Sequence, residues 1–344
     1  MSWLRLFPIA VAVSVALTGC SQPEQIQKIA GPAQGSTFHI SYWSTQSVNH
    51  QQLEQQIQQE LDRIDVVMSN YRPDSTIEKF NQQQTTEAQT VGAELVSLVE
   101  EARKVYTESS GCYDLTVKPL FDLWGFKADK FNQPTAEQLQ QTMQLIGMNK
   151  VLASNTTQLQ KQNPHIRVDV SSIAQGYTVD KLADVLRQAG IDNFLVEVGG
   201  EMVVQGHKPE QKPWRVAIDK PLPGEQSLQK IIAITQDAPM SVMTSGTYRH
   251  YFDENGQRYS HVLDARVGAP VKHQTVSTTV LMDNGTQADA WSTAFLCLGS
   301  AEGLAVANKL GIKVLFIDQD GEQLIEKSSE ALSASSSIQM TKPE

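Results

Sequence analysis

Asp289 and Thr293 stand four residues apart in a stretch whose spacing predicts a helix over residues 287–298, so their side chains share one face. A carboxylate and a hydroxyl placed that way offer two hard oxygens to Mg²⁺, which completes its shell with water and phosphate oxygens. His261, in Tyr259-Ser-His-Val-Leu-Asp264, is the best general-base candidate of the 7 histidines, and Asp264 is placed to orient it or balance its charge. Asp169-Val-Ser-Ser-Ile-Ala174-Gln-Gly176-Tyr177 reads as a strand running into a helix. There Ser171 and Ser172 are natural caps, Gly176 admits another backbone, and free N–H groups suit a phosphate. The paired glycines of Glu197-Val-Gly199-Gly200-Glu201 permit a tight turn or close approach of a ligand. Thr244-Ser245-Gly246-Thr247-Tyr248 offers hydroxyls beside an aromatic ring, and the irregular polar-aromatic run over residues 111–126 is of the kind that lines pockets. Taken singly, each also has a plain structural reading: a capped helix, a hairpin turn, a structural histidine or loop packing.

Helices and strands must hold these groups. Leu53, Ile57, Leu61, Ile64 and Met68 recur at helical spacing over residues 51–68, ending before Pro73. Ser75 with Glu78 reads as a capping box opening a short helix to residue 81. Further helices fall over residues 92–109 and 135–145, the second with Thr135 as its cap and Gly147 beyond its end. A first strand is expected over residues 37–43. From residue 166 the pattern becomes strand (166–170), helix (174–189) and buried strand (194–198). Residues 202–205, 214–218 and 231–234 read as meander strands, and 253–258 as a polar hairpin before a loop at 268–270. A strand over 277–282, helices over 287–298 and 301–310, and a strand over 314–317 complete the core, while the Ser-rich end from residue 328 is expected to be loose. Helices and strands mixed without regular βαβ alternation argue for an α+β fold.

The chain opens with Arg5 and about a dozen mostly apolar residues, the length of a signal-peptide core and too short to span a bilayer. Leu17-Thr18-Gly19-Cys20 follows, small residues before a cysteine, resembling the lipobox of bacterial lipoproteins, with Cys20 as the lipidated residue. Hydrophobic content of 40%, charged content of 19% and a net charge of −10 describe an ordinary globular protein with a core. The absence of Lys/Arg blocks argues against nucleic acid as a partner. Cys112 and Cys297 remain; they can pair in an oxidising compartment or stay free. No C-x-x-C or H-x-x-x-H spacing points to zinc, so a metal here is expected to be a hard cation held by oxygen.

In order, these segments resemble the ApbE family, the FAD:protein FMN transferases, over nearly the whole chain from Gly31 to about Ile317. The most specific pieces are Tyr113-Asp114-Leu-Thr116-Val-Lys-Pro119-Leu with Trp124-Gly-Phe126, and Val168-Asp169-Val-Ser-Ser-Ile-Ala174-Gln-Gly176-Tyr177. Val198-Gly199-Gly200-Glu201, Thr244-Ser245-Gly246, Ser260-His261-Val-Leu-Asp264 and Ala288-Asp289 with Thr293 complete the likeness. The resemblance implies that FAD is cut at its pyrophosphate, that FMN is esterified through phosphate to a threonine hydroxyl of a partner protein, and that AMP leaves with Mg²⁺ assisting. It places the metal on the carbonyl of Ala174 and the side chains of Asp289 and Thr293, and makes His261 the base. FAD contacts are implied at Gln34, Tyr71, Cys112, Tyr113, Asp114, Ser171, Tyr177, Ser245, Gly246 and Val262.

Three departures from the family pattern stand out. Gln34-Gly35-Ser36 replaces the frequent Met-Gly-Thr, Gln175 stands where lysine is common, and the loop His261-Val-Leu-Asp264-Ala265-Arg-Val267-Gly268-Ala-Pro270 lacks the usual Pro and Thr. The expected organisation is a signal peptide (1–19), a lipidated tether (20–30), one ApbE-like α+β domain with mixed or antiparallel sheets and packed helices (31–325) and a tail (326–344). The implied location is the periplasmic side of the inner membrane, although Ser21 after Cys20 leaves the outer membrane open. The implied partners are exported or membrane proteins, such as subunits of sodium-pumping NADH:quinone reductase. An FAD pyrophosphatase releasing free FMN and AMP, and a non-catalytic flavin-binding lipoprotein, are the alternative readings.

Overall fold

Alternating burial sets the central sheet. The structure is a computed structural model describing residues 25–343 apart from 223, 225, 226, 249, 255 and 256; the signal stretch and Cys20 lie outside the described residues. Eight strands form one sheet: β1 (Gln27–Ala33), β2 (Ser36–Trp43), β3 (Asn193–Val198), β4 (Glu201–Gln205), β5 (Met240–Gly246), β6 (Thr275–Met282), β7 (Lys313–Asp320) and β8 (Gln323–Ser328). They lie side by side in chain order, each antiparallel to its neighbours. Consecutive residues point to opposite faces, so Val203 and Val204, Val242 and Met243, Val280 and Leu281, and Val314 and Leu315 divide between two cores.

The larger core lies under five helices, α1 (His50–Met68), α2 (Thr76–Gln82), α3 (Ala93–Glu108), α6 (Ala174–Gln188) and α7 (Gly285–Leu310), while α4 (Lys118–Trp124) and α5 (Ala136–Met143) pack on a separate small cluster around Leu120, Trp124 and Phe126. Leu53, Ile57, Leu61, Ile64 and Met68 form the buried stripe of α1, whose cap is Asn49. α7 is long and apolar enough by composition to cross a bilayer, but it is mostly buried in this core, against β5, β6 and α6. Gly299, at φ 72°, breaks it into the two helical stretches read from the sequence. The smaller core lies between the other face of the sheet and a three-stranded sheet of Trp214–Asp219, Leu228–Ile234 and Ile338–Thr341. The fold is α+β, with antiparallel sheets and packed helices.

Several segments depart from their sequence expectation, each for a visible reason. β1 begins at Gln27, inside the stretch expected as tether, and pairs with β2 through the hairpin turn at Gln34 and Gly35, at φ 50° and 75°. Residues 166–170 are extended but join no sheet. Asparagine amides replace the missing strand: Asn81 accepts from Val168 N and donates to its carbonyl, and Asn70 accepts from Val170 N. The C-terminal residues are structured, because Leu332 and Ile338 are buried in the smaller core and Ser329 caps a short helix. β5 carries no period-two signal in the sequence because it is covered on both faces.

Candidate active site

The site forms where α6 crosses α7. A Cβ on Gly176 would stand 2.3 Å from the carbonyl oxygen of Gly285 and 2.5 Å from Cβ of Asp289, so only glycine lets the helices approach this closely. The approach lets Gly176 N–H donate to Oδ2 of Asp289 at 2.8 Å. Asp289 is 5% exposed, and Thr293 follows one turn later on the same face. Thr293 Oγ1 is 3.3 Å from Ser245 Oγ, which also bonds Ser292 Oγ at 2.7 Å, so the end of β5 reaches the same place. The carbonyl of Ala174, the first residue of α6, accepts from Thr178 Oγ1 at 2.7 Å. A carbonyl, a carboxylate and a hydroxyl make a hard-oxygen donor set that fits Mg²⁺ and would not fit a thiophilic metal.

The N-terminus of α6 differs from its expected form. Its cap is Ile173 without a side-chain bond, in place of Ser171 or Ser172. Ala174 N donates to Val170, Tyr177 N to Ile173, and Gly176 N to Asp289, so these N–H groups are committed within the protein instead of forming an open phosphate cradle. Ser172 Oγ donates to the hydroxyl of Tyr113, while Ser171 stays exposed with its N–H on Asp169. Lys118, the first residue of α4, brings a cation 3.5 Å from Oδ2 of Asp169.

The segment before α4 lies against this crossing. Tyr113 is buried, and its phenol is pushed well above its usual range by desolvation, with the carboxylates of Asp289, Asp114 and Asp169 adding to the effect. Asp114 accepts from Thr116 N, Thr116 Oγ1 and Met148 N; burial pushes its carboxyl up, and these bonds partly offset it. Asp114 therefore shapes the loop. Cys112, expected near the flavin, is bonded to Cys297 of α7 in a disulfide with Cα atoms 6.0 Å apart.

His261 follows the strand Gln257–Ser260. Its Nδ1 lies 2.8 Å from the carbonyl of His250. A carbonyl only accepts, so Nδ1 is the donating nitrogen, and Nε2 is the one that would take a proton when the ring is neutral. This carbonyl supplies the orienting contact foreseen for Asp264. Asp264 is instead paired with Arg266 at 2.8 Å, and its position was read from sequence proximity alone.

Among the other expected flavin contacts, Gln34 has the clearest ligand signature. Its Nε2 donates to Thr178 Oγ1 at 2.7 Å, while its buried Oε1 has no partner among the described residues. Tyr71 is 91% exposed at the end of α1, open to stack on a planar ring. Tyr177 commits its hydroxyl to Glu94, which two nitrogens of Arg63 also hold. Gly246 ends β5, and Val262 is buried with its carbonyl on Val271 N. The sequence reading missed the carbonyl of His250 and the carboxylate of Asp180. Asp180, four residues after Gly176 on α6, accepts from Gly285 N, Thr286 N and Thr286 Oγ1 at the head of α7.

Residues 34–316 match the model of the ApbE family. The chain is 36% identical over 317 residues to an FAD:protein FMN transferase of Vibrio cholerae, covering 91% of this chain and 94% of that one. A second relative of the same name, from Haemophilus influenzae, is 34% identical over 334 residues, covering 94% and 95%. The solved flavin transferase ApbE from Vibrio cholerae superposes with a TM-score of 0.82 at 34% identity, over 90% of this chain and 99% of that one. Family match, full-length relatives and a shared fold agree: the chain belongs to the ApbE family.

Proposed function

We propose that this enzyme transfers FMN from FAD to a threonine hydroxyl of a target protein, forming a phosphoester and releasing AMP. The relatives' shared name supports the transfer of FMN from FAD to protein. The observation that supports the finer reading is the close approach at Gly176, which sets the start of α6, two residues after Ala174, against the turn of α7 that carries Asp289. Ala174, Asp289 and Thr293 would hold Mg²⁺, whose charge, when bound, offsets that building on the pyrophosphate oxygens. A threonine hydroxyl is a weak nucleophile near neutral pH, and Nε2 of His261, with Nδ1 turned to the His250 carbonyl, takes its proton. Its oxygen then attacks the FMN-side phosphorus while the bond to the AMP oxygen breaks, and AMP leaves with that electron pair. Oε1 of Gln34 accepts a hydrogen bond from the flavin, and Tyr71 offers it an exposed ring.

The reading extends to location: lipid on Cys20 tethers the enzyme on the periplasmic side of the inner membrane, beside exported or membrane acceptors such as sodium-pumping NADH:quinone reductase subunits. The test mixes the protein, FAD, Mg²⁺ and a threonine-bearing acceptor, and looks for flavin fluorescence on the denatured acceptor. Labelling supports the transferase; free FMN and AMP without labelling replaces it with a pyrophosphatase.

A further inference from the structure

We propose that the Cys112–Cys297 disulfide is a positioning clamp for catalysis, so that the enzyme reaches its working geometry only after this pair is oxidised. The inference rests on the transferase reading above. Cys297 follows Thr293 by four residues and Asp289 by eight, on one face of the first half of α7. That half-helix ends at the Gly299 break, two residues after Cys297. Its head is held by Asp180; at its foot the disulfide is the covalent tie, beside hydrogen bonds from Ser300 to Thr275 and Asp318 and the contact of His273 Nε2 with the Cys297 carbonyl. The partner, Cys112, adjoins Tyr113, the residue bonded to Ser172 and sensitive to the charge of Asp289.

The segment carrying the base meets the same point. Ala265 N donates to the carbonyl of Cys112 at 3.5 Å, and the carbonyl of Leu263, two residues after His261, lies 3.9 Å from Sγ of Cys297. A carboxylate oxygen of Asp264 and both sulfurs fall within 4.8 Å of one another. Three pieces of the site, bearing Tyr113, His261 and the Asp289–Thr293 pair, therefore converge on one covalent bond. Both cysteines are almost fully buried, at 1% and 4% exposure.

Forming the bond takes two thiols, which give two protons and two electrons to a disulfide oxidant that becomes a dithiol; such an oxidant is met outside the cytoplasm. Reduction returns two thiols to a space shaped for one bond. Bonded sulfurs sit about 2 Å apart, whereas unbonded atoms of this size need roughly 3.5–4 Å. The neighbouring segments must give by well over an ångström, enough at a reaction centre to lower the rate by about a hundredfold.

The experiment compares the oxidised protein, the protein reduced by dithiothreitol with both thiols verified by alkylation, and the double variant Cys112→Ala/Cys297→Ala. Flavin transfer is followed against FAD and Mg²⁺ concentration, with circular dichroism reporting the fold at the assay temperature. The clamp predicts a folded reduced enzyme whose kcat/KM falls roughly ten- to hundredfold, with a raised KM for Mg²⁺. Reoxidation restores the rate, and the double variant is slow and indifferent to dithiothreitol. Equal kinetics in both redox states overturns it. So does unfolding on reduction at the assay temperature, which makes the bond a general staple. Should the oxidised protein label no acceptor, the transferase reading fails instead. The clamp is then decided by Mg²⁺-dependent FAD binding, which must differ between the two redox states.

Discussion

Asp180 of α6 and Thr286 of α7 are joined twice, Oδ2 of Asp180 accepting both the backbone N–H and the hydroxyl of Thr286 at 2.8 Å. With Gly285 N on Oδ1 and Gln287 N on the cap Asn284, the first turn of α7 has its N–H groups satisfied and a carboxylate at the positive end of its dipole. Asp180→Ala strands buried donors and is expected to cost about 2–4 kcal/mol. Because the same helix carries Asp289, KM for Mg²⁺ should rise as well. Thermal unfolding and a Mg²⁺ titration of the rate check the two effects; an unchanged melting point would refute the cap.

Gly176→Ala tests the close approach itself. The new methyl group meets the Gly285 carbonyl and the Asp289 side chain, and neither can yield without moving α7. A loss of about 1–3 kcal/mol in stability is expected from overpacking, with activity falling further than stability because the proposed metal donors separate. Activity close to that of the parent enzyme would contradict this geometry.

His261→Ala should lower kcat by about 10²–10⁴-fold, the usual worth of a positioned base. FAD binding should stay nearly unchanged. A variant that labels the acceptor at full rate removes His261 from the mechanism.

Gln34→Ala probes the buried amide oxygen. It removes the acceptor proposed for the flavin and the donor that steadies Thr178, which in turn bonds the carbonyl of Ala174. KM for FAD should rise about five- to tenfold, the equivalent of one hydrogen bond of roughly 1–1.5 kcal/mol. The check is a fluorescence titration with FAD, in which unchanged affinity counts against the contact.

Acid stability should depend on Asp318, which accepts from Thr275, Ser300 and Lys327 just beyond the Gly299 break. Burial works to raise its carboxyl, but these hydrogen bonds and the lysine charge outweigh it and hold it below the usual range. A depressed folded-state value means the stabilisation is present above the unfolded pKa, roughly 3.9, and is lost as pH falls through the folded value. The advantage of the parent protein over Asp318→Asn should therefore be full at neutral pH and vanish in acid, as followed by denaturant unfolding at several pH values.

What could be read from the sequence was periodic or compositional. Spacing of four put Asp289 and Thr293 on one face, and the pairing of Gly176 with a helix start announced a close contact. What could not be read depended on residues far apart in the chain. Nothing near Val168 says that Asn70 and Asn81 will stand in for a strand, and nothing near Gly285 says that Asp180 will cap it. Local reasoning also misassigned partners where a nearer one existed. Ser171 and Ser172 were natural caps, yet Ser172 turned to Tyr113, and Asp264 took Arg266, two residues away, instead of His261.

The strand order carries a consequence for how the molecule comes into being. β1 with β2, β3 with β4, and β7 with β8 are hairpins that can zip as soon as they emerge, but β2 meets β3 only after the intervening 149 residues (44–192) are in place. The working site then waits for a bond between residues 185 positions apart. High contact order of this kind makes folding slow. It also means that no nascent or clipped form ending before Cys297 can begin to consume FAD.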